Sequence, residues 1–256
     1  MPAAEKYRQT GIMKRHVLIT GGSRGIGAET VRVFARAGDF VSFFYKKNAD
    51  AAEALIHCLS GQGFRVEGLA VDVTDERAIR SAVSRQSERF GKVDVVISNA
   101  GITSQGLITD ETEENFRKMM DTHVTSLFFL TQAILPDMIR RKYGKILAVS
   151  SIWGMTGASC EVSYSAAKAA VIGYVKALAK EVGPSGISVN CVAPGVIQTD
   201  MLQDLSREEK EALEGETPIG RLGVPEDVAN LLFFLASDQA SFITGQTISP
   251  NGGLVI

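Results

Sequence analysis

Tyr164 and Lys168 stand four residues apart in Tyr164-Ser165-Ala166-Ala167-Lys168, within a run from Val162 to Leu178 rich in Ala and Val and free of Pro. That composition predicts a helix, and four residues make about one turn, so phenol and ammonium share a face. A nearby positive charge favours phenolate and draws a tyrosine pKa down from about 10. The expectation is a proton donor or acceptor usable near neutrality. Taken alone, the pair also fits a half-buried tyrosine beside a solvated lysine, so the elements around it must decide.

From His16 onward, short β-rich runs alternate with longer amphipathic ones, the pattern of a parallel sheet with crossover helices. Strands are predicted at His16 to Thr20, Phe40 to Tyr45, Arg65 to Asp72, Val93 to Ser98, Gly144 to Ser150, Ile187 to Val192 and Gln246 to Ser249. Helices are predicted near Gly25 to Ala37, Asp50 to Ser60, Glu76 to Phe90, Glu113 to Arg141, Val162 to Val182 and Pro225 to Ala236. The fold class is α/β: a single-domain Rossmann fold with a doubly wound, seven-stranded parallel sheet and helices on both faces. Right-handed crossovers put its ligand crevice at the carboxyl ends of the strands. The Glu-rich segment from Thr199 to Leu222 interrupts the alternation and reads either as a mobile lid or as a solvated insertion. Residues 1–13 read as an N-terminal extension, with Met13 an alternative start, and 14–256 as the domain.

Directly after the first strand comes Thr20-Gly21-Gly22-Ser23-Arg24-Gly25-Ile26-Gly27, opening the first helix. Glycines there allow a tight turn and close backbone approach to a pyrophosphate, while the helix N-terminus supplies amide donors. Dinucleotide binding is the expectation, because the turn sits in the right place. The end of the second strand reads Phe44-Tyr45-Lys46-Lys47-Asn48 and offers no carboxylate for a ribose 2′-hydroxyl. Arg24 and Lys46 would instead meet a 2′-phosphate, which favours NADP(H) over NAD(H).

Composition narrows the class further. Hydrophobic residues make up 45% of the chain and charged residues 22%, enough apolar surface for one core. A net charge of −2 gives no basic field for nucleic acid, and no apolar run reaches membrane-spanning length. Cys58, Cys160 and Cys191 are widely spaced without a CxxC pair, which suggests reduced cytoplasmic thiols and no metal site.

Together, the glycine turn, Asn99-Ala100-Gly101 after the fourth strand, Ser151 thirteen residues before Tyr164, and Pro194-Gly195 after the sixth strand resemble the short-chain dehydrogenases/reductases. The resemblance runs from about Lys14 to Ile256. It implies that Tyr164 is the general acid of carbonyl reduction and that Ser151 hydrogen-bonds the substrate oxygen. Lys168 would lower the tyrosine pKa and bond the nicotinamide ribose, while Ser150 points the other way along the strand. The cofactor set carried over is Gly21, Ser23, Arg24, Gly25, Ile26, Gly27, Lys46, Asp72 at the adenine, Asn99 and Gly101, then Tyr164, Lys168, Pro194, Gly195, Ile197 and Thr199. One position departs from the family: Thr122-His123-Val124 places His123 where an Asn is usual. In the family a main-chain carbonyl at that position holds a water bridging to the lysine, so a side-chain change is survivable. An imidazole would also bond that water or titrate near neutrality.

Overall pattern is most similar to 3-oxoacyl-[acyl-carrier-protein] reductases, which implies a β-keto thioester on an acidic carrier. Arg140-Arg141-Lys142 is either its docking patch or a cationic helix end. Trp153 and Glu161, between Ser151 and Tyr164, suit a cationic substrate group instead. With His123 they resemble reductases of the 5-aminopentanone modification on elongation factor P. A non-catalytic NADP(H)-sensing regulator is a third reading, disfavoured by the intact Ser151, Tyr164 and Lys168. The family resemblance implies a homotetramer, and the apolar tip Leu254-Val255-Ile256 suits burial against a neighbour.

Overall fold

Strand β1 (His16–Thr20) is buried along its whole length, with Leu18 in the core on one face of the sheet and Val17 and Ile19 in the core on the other. Only a strand covered on both sides needs apolar residues at consecutive positions, as parallel sheets do. The computed structural model, which describes residues 14–202 and 206–256, builds one seven-stranded sheet around this strand. Its other members are β2 (Phe40–Tyr45), β3 (Val66–Ala70), β4 (Val93–Ser98), β5 (Gly144–Val149), β6 (Ile187–Val192) and β7 (Thr247–Ile248). Every pairing is parallel and the order is β3-β2-β1-β4-β5-β6-β7. The expected Rossmann-type sheet is present; the third and seventh strands are shorter than the sequence suggests.

The connections are helices α1 (Gly25–Arg36), α2 (Ala49–Gly61), α3 (Glu76–Phe90), α4 (Glu113–Met120) and α5 (Ser126–Arg141), then the single turn α6 (Trp153–Thr156), α7 (Val162–Val182), α8 (Arg207–Glu216) and α9 (Pro225–Leu235). Helices α3, α5 and α7 bury Ile79, Leu130, Ile134 and Val175 against one face of the sheet. On the other face, α1 and α9 bury Val31, Phe34, Leu232 and Leu235. Strand order reverses beside β1, and at that switch point the carboxyl ends of β1 and β4 diverge to leave a crevice.

One helix differs from expectation, and the segment from Thr199 to Leu222 takes the form of a helical insertion. The helix predicted as continuous from Glu113 to Arg141 is interrupted by a π-helical segment, Asp121–Thr125. Within Thr199 to Leu222 the chain forms a short 3₁₀ turn, Asp200–Leu202, and then α8, started by a reciprocal capping box between Ser206 and Glu209. The proposed N-terminal extension, residues 1–13, lies outside the described residues.

Candidate active site

A cavity of about 1100 Å³ opens at the carboxyl ends of the strands and runs from the glycine turn to Trp153 and Glu161. At the glycine turn, Gly21 has φ +67°, in the left-handed region that favours glycine. Gly27 packs its bare Cα on the Gly21 carbonyl, where a Cβ would collide with backbone. Asn99 ties this turn to β4. Its amide Nδ2 donates to the carbonyls of Thr20 (3.0 Å) and Gly21 (3.2 Å), and Thr20 Oγ1 accepts from the Asn99 and Ala100 amides at 3.0 Å. The crevice is therefore braced by side chains as well as by the sheet.

Arg24 and Lys46 both line the cavity, and neither is a lone cation. Lys46 pairs with Asp72, whose Oδ1 also accepts from the Thr74 amide and hydroxyl, and Arg24 lies 3.5 Å from Asp200. On the far side, Ile197 is buried and Thr199 packs its methyl toward Gly25. Pro194 and Gly195 hold the neighbouring loops, the Pro194 carbonyl accepting from the Ile152 amide and the Gly195 amide donating to Pro250. Ser23, Gly25, Ile26 and Gly101 complete the wall.

The chemical end is built where β5 meets α7. The Lys168 ammonium is buried and donates to the Val149 carbonyl at 2.9 Å. Ser150 Oγ donates to the Lys168 carbonyl at 2.8 Å, so Ser150 pins helix to strand and is not the free hydroxyl. The next residue, Ser151, is hydrogen-bonded to the Tyr164 phenol. Lys168 Nζ lies 5.5 Å from the centroid of the Tyr164 ring.

Charge states at this end differ from expectation in two places. Burial pushes the Tyr164 phenol up to about 12, outweighing the hydrogen bond from Ser151, so the lysine does not draw it below its usual value. Burial also lowers Lys168 to about 8. His123 does not titrate near neutrality: burial first, then the Lys168 ammonium, push it down to about 3. A proton-holding phenol beside a neutral imidazole results.

At the end away from the glycine turn, Trp153 and Glu161 both line the cavity. Glu161 precedes α7 but its carboxylate makes no capping bond to that helix. Burial raises its pKa, opposed by a hydrogen bond from Gln105. Arg141 of the supposed docking patch instead bonds Asp94 at 2.6 Å and the Val93 carbonyl, and Arg140 pairs with Asp137. These pairs occupy two of the three cations.

Two contributors do not stand out in the sequence. The Val149 carbonyl, which holds Lys168, and Gln105, which bonds Glu161, take part only because segments distant in sequence meet. A sequence signal for Gln105 exists in the polar Thr103 to Gln105 stretch just beyond Asn99-Ala100-Gly101. Among the described residues no cluster of His, Cys, Asp or Glu is fit to hold a metal, and no helix is long and apolar enough to cross a membrane.

Comparison with known proteins gives these features a context. The family model described as enoyl-(acyl carrier protein) reductase matches residues 21–255. An oxidoreductase of Bacillus subtilis named as uncharacterised, YmfI, is 45% identical over 94% of this chain and 99% of its own length. The 3-oxoacyl-[acyl-carrier-protein] reductases FabG of Haemophilus influenzae and Escherichia coli are 39% and 38% identical, each over 93% of this chain and 97% and 96% of their own. Fold and comparisons together define an oxidoreductase acting on a carbonyl or hydroxyl group. More particularly, this chain belongs to the short-chain dehydrogenase/reductase family.

Proposed function

We propose that the protein is an NADPH-dependent carbonyl reductase, most like a 3-oxoacyl-[acyl-carrier-protein] reductase. The observation that carries this reading is the meeting of Ser151, Tyr164 and Lys168 in one cavity with a glycine turn whose Gly27 has no room for a side chain. The residues present fit a dinucleotide. The glycine turn and the N-terminus of α1 line the cavity, where backbone amides suit a pyrophosphate, and Arg24 and Lys46 border the same cavity. A 2′-phosphate offers each cation a more highly charged partner than its present carboxylate.

NADPH, when bound, supplies the hydride. Ser151 hydrogen-bonds the substrate oxygen, and Tyr164, protonated because burial holds it near 12, gives that oxygen its proton as the carbonyl bond is reduced. Lys168, held by Val149, stabilises the phenolate left behind, and solvent returns the proton. Carbon gains the hydride and oxygen the proton, so the product is an alcohol. Turnover of NADPH with β-keto thioesters, free or on acyl carrier protein, tests the reading; cofactor binding without oxidation of NADPH on any carbonyl would instead favour the sensor.

A second substrate is favoured by one observation, the half-buried Glu161 carboxylate in the same cavity wall as Trp153. Such a pair suits a ketone that carries an amine, as in the 5-aminopentanone modification of elongation factor P, and a fatty acyl chain needs neither. The paired state of Arg140 and Arg141 weakens the case for docking an acidic carrier there. We further propose a cytoplasmic homotetramer, supported by exposed Phe242 and Ile256.

A further inference from the structure

His123 lies where the chain departs from helical regularity. It is the middle residue of the π segment Asp121–Thr125, and its imidazole is 4% exposed. A π turn adds a residue to the helix and re-aims the side chains it carries. Here the ring is sent inward. Its Nε2 is 2.8 Å from the Ile102 carbonyl oxygen and 3.4 Å from the Ile102 amide nitrogen. The shorter contact assigns the tautomer, with Nε2–H donating to the carbonyl. The same ring meets Tyr164 edge-on, with centroids 5.6 Å apart and planes at 82°.

Gly101 makes the seat possible. A Cβ at that position would stand 2.6 Å from His123 Cε1. Ile102 follows Asn99-Ala100-Gly101, the stretch that leaves β4 along the cofactor cavity, whereas Tyr164 belongs to α7. His123 therefore touches both walls of the site. The groups packed around it are the Lys168 ammonium and the Tyr164 phenol, and the buried ring stays uncharged beside them.

We infer that His123 is a positioning residue: its Nε2–H bond to the Ile102 carbonyl and its edge contact with the Tyr164 ring hold the phenol in register with the end of β4. This rests on the reading of Tyr164 as the proton donor. Misplacing a reacting group by about 1 Å costs on the order of 10²-fold in rate, so loss of both contacts is felt in turnover and not in cofactor binding.

The test uses the full chain, NADPH and a carbonyl substrate that the parent reduces. His123→Ala is expected to lower kcat about 10²-fold while the NADPH KM moves less than about threefold, and His123→Gln, which restores an N–H donor, to regain most of the loss. The limbs of the pH profile should coincide in the parent and both variants. Should His123→Ala not fold, His123→Phe carries the test. It keeps the edge contact without the N–H and is expected to lose about tenfold in kcat. Parent-like turnover in these variants, or disappearance of a limb near neutrality, would overturn the proposal. If the parent reduces no carbonyl, the reductase reading fails and NADPH affinity decides the positioning: Gly101→Ala should weaken binding, and Gly101→Ala/His123→Ala should restore at least about tenfold of it. Additive effects would contradict the shared seat.

Discussion

Tyr164 is kept protonated by its own burial, and its partner Lys168 is the group poised to titrate in the working range. With Lys168 lowered to about 8, it is charged below that value and neutral above it. Reductive kcat/KM, followed by NADPH absorbance across pH, is therefore expected to hold level below about 8 and fall as pH rises through it. No limb near the ordinary histidine value of 6.5 is expected, because His123 has been pushed to about 3. The proposed role of Glu161 is the choice of substrate. Glu161→Gln should raise KM for an amine-bearing ketone about tenfold and leave a neutral ketone within about twofold, in line with loss of one partly screened ion pair. Equal effects on both substrates would remove the cationic-group reading.

At the scale of elements, the glycine turn and the end of β4 act as one unit because Asn99 bonds both Thr20 and Gly21. Asn99→Ala leaves those carbonyls without their partner and should cost about 1 to 3 kcal/mol in denaturant unfolding, with weaker NADPH binding. Arg24→Ala with Lys46→Ala should raise the KM for NADPH at least about tenfold and change that for NADH little, the mark of a lost 2′-phosphate contact. The strands and the glycine turn are readable in the sequence because alternation, β-branched runs and glycine spacing are local signals. The break at Asp121–Thr125 is not readable, since no local signal marks it and the contact its histidine makes is with Tyr164, 41 positions away by the numbering. Likewise Tyr164 and Lys168 are visible as a pair, but the direction of the phenol's pKa depends on how deeply tertiary packing buries it. The pairing of Arg24 with Asp200 and of Lys46 with Asp72 also joins segments that only the fold brings together.

For the whole molecule, two cores grip one sheet from opposite faces, so the site's two walls are carried by a single rigid body: β4 on one side, β5 with α7 on the other. Exposed Phe242 and Ile256 on that body predict self-association. Light scattering of the purified protein should give four times the 27.5 kDa chain mass, and a monomer mass would contradict the tetramer. Membership of the family establishes oxidoreductase chemistry; the proton's route through Tyr164 is the central proposal beyond it. The most direct measurement is NADPH oxidation with a β-keto thioester and an amine-bearing ketone, parent against Tyr164→Phe, with NADPH affinity measured in parallel. The expected result is turnover by the parent on at least one of the two and a loss of about 10²- to 10⁴-fold in the variant with NADPH still bound. Parent-like turnover by Tyr164→Phe, or no turnover by a parent that binds NADPH, would contradict it.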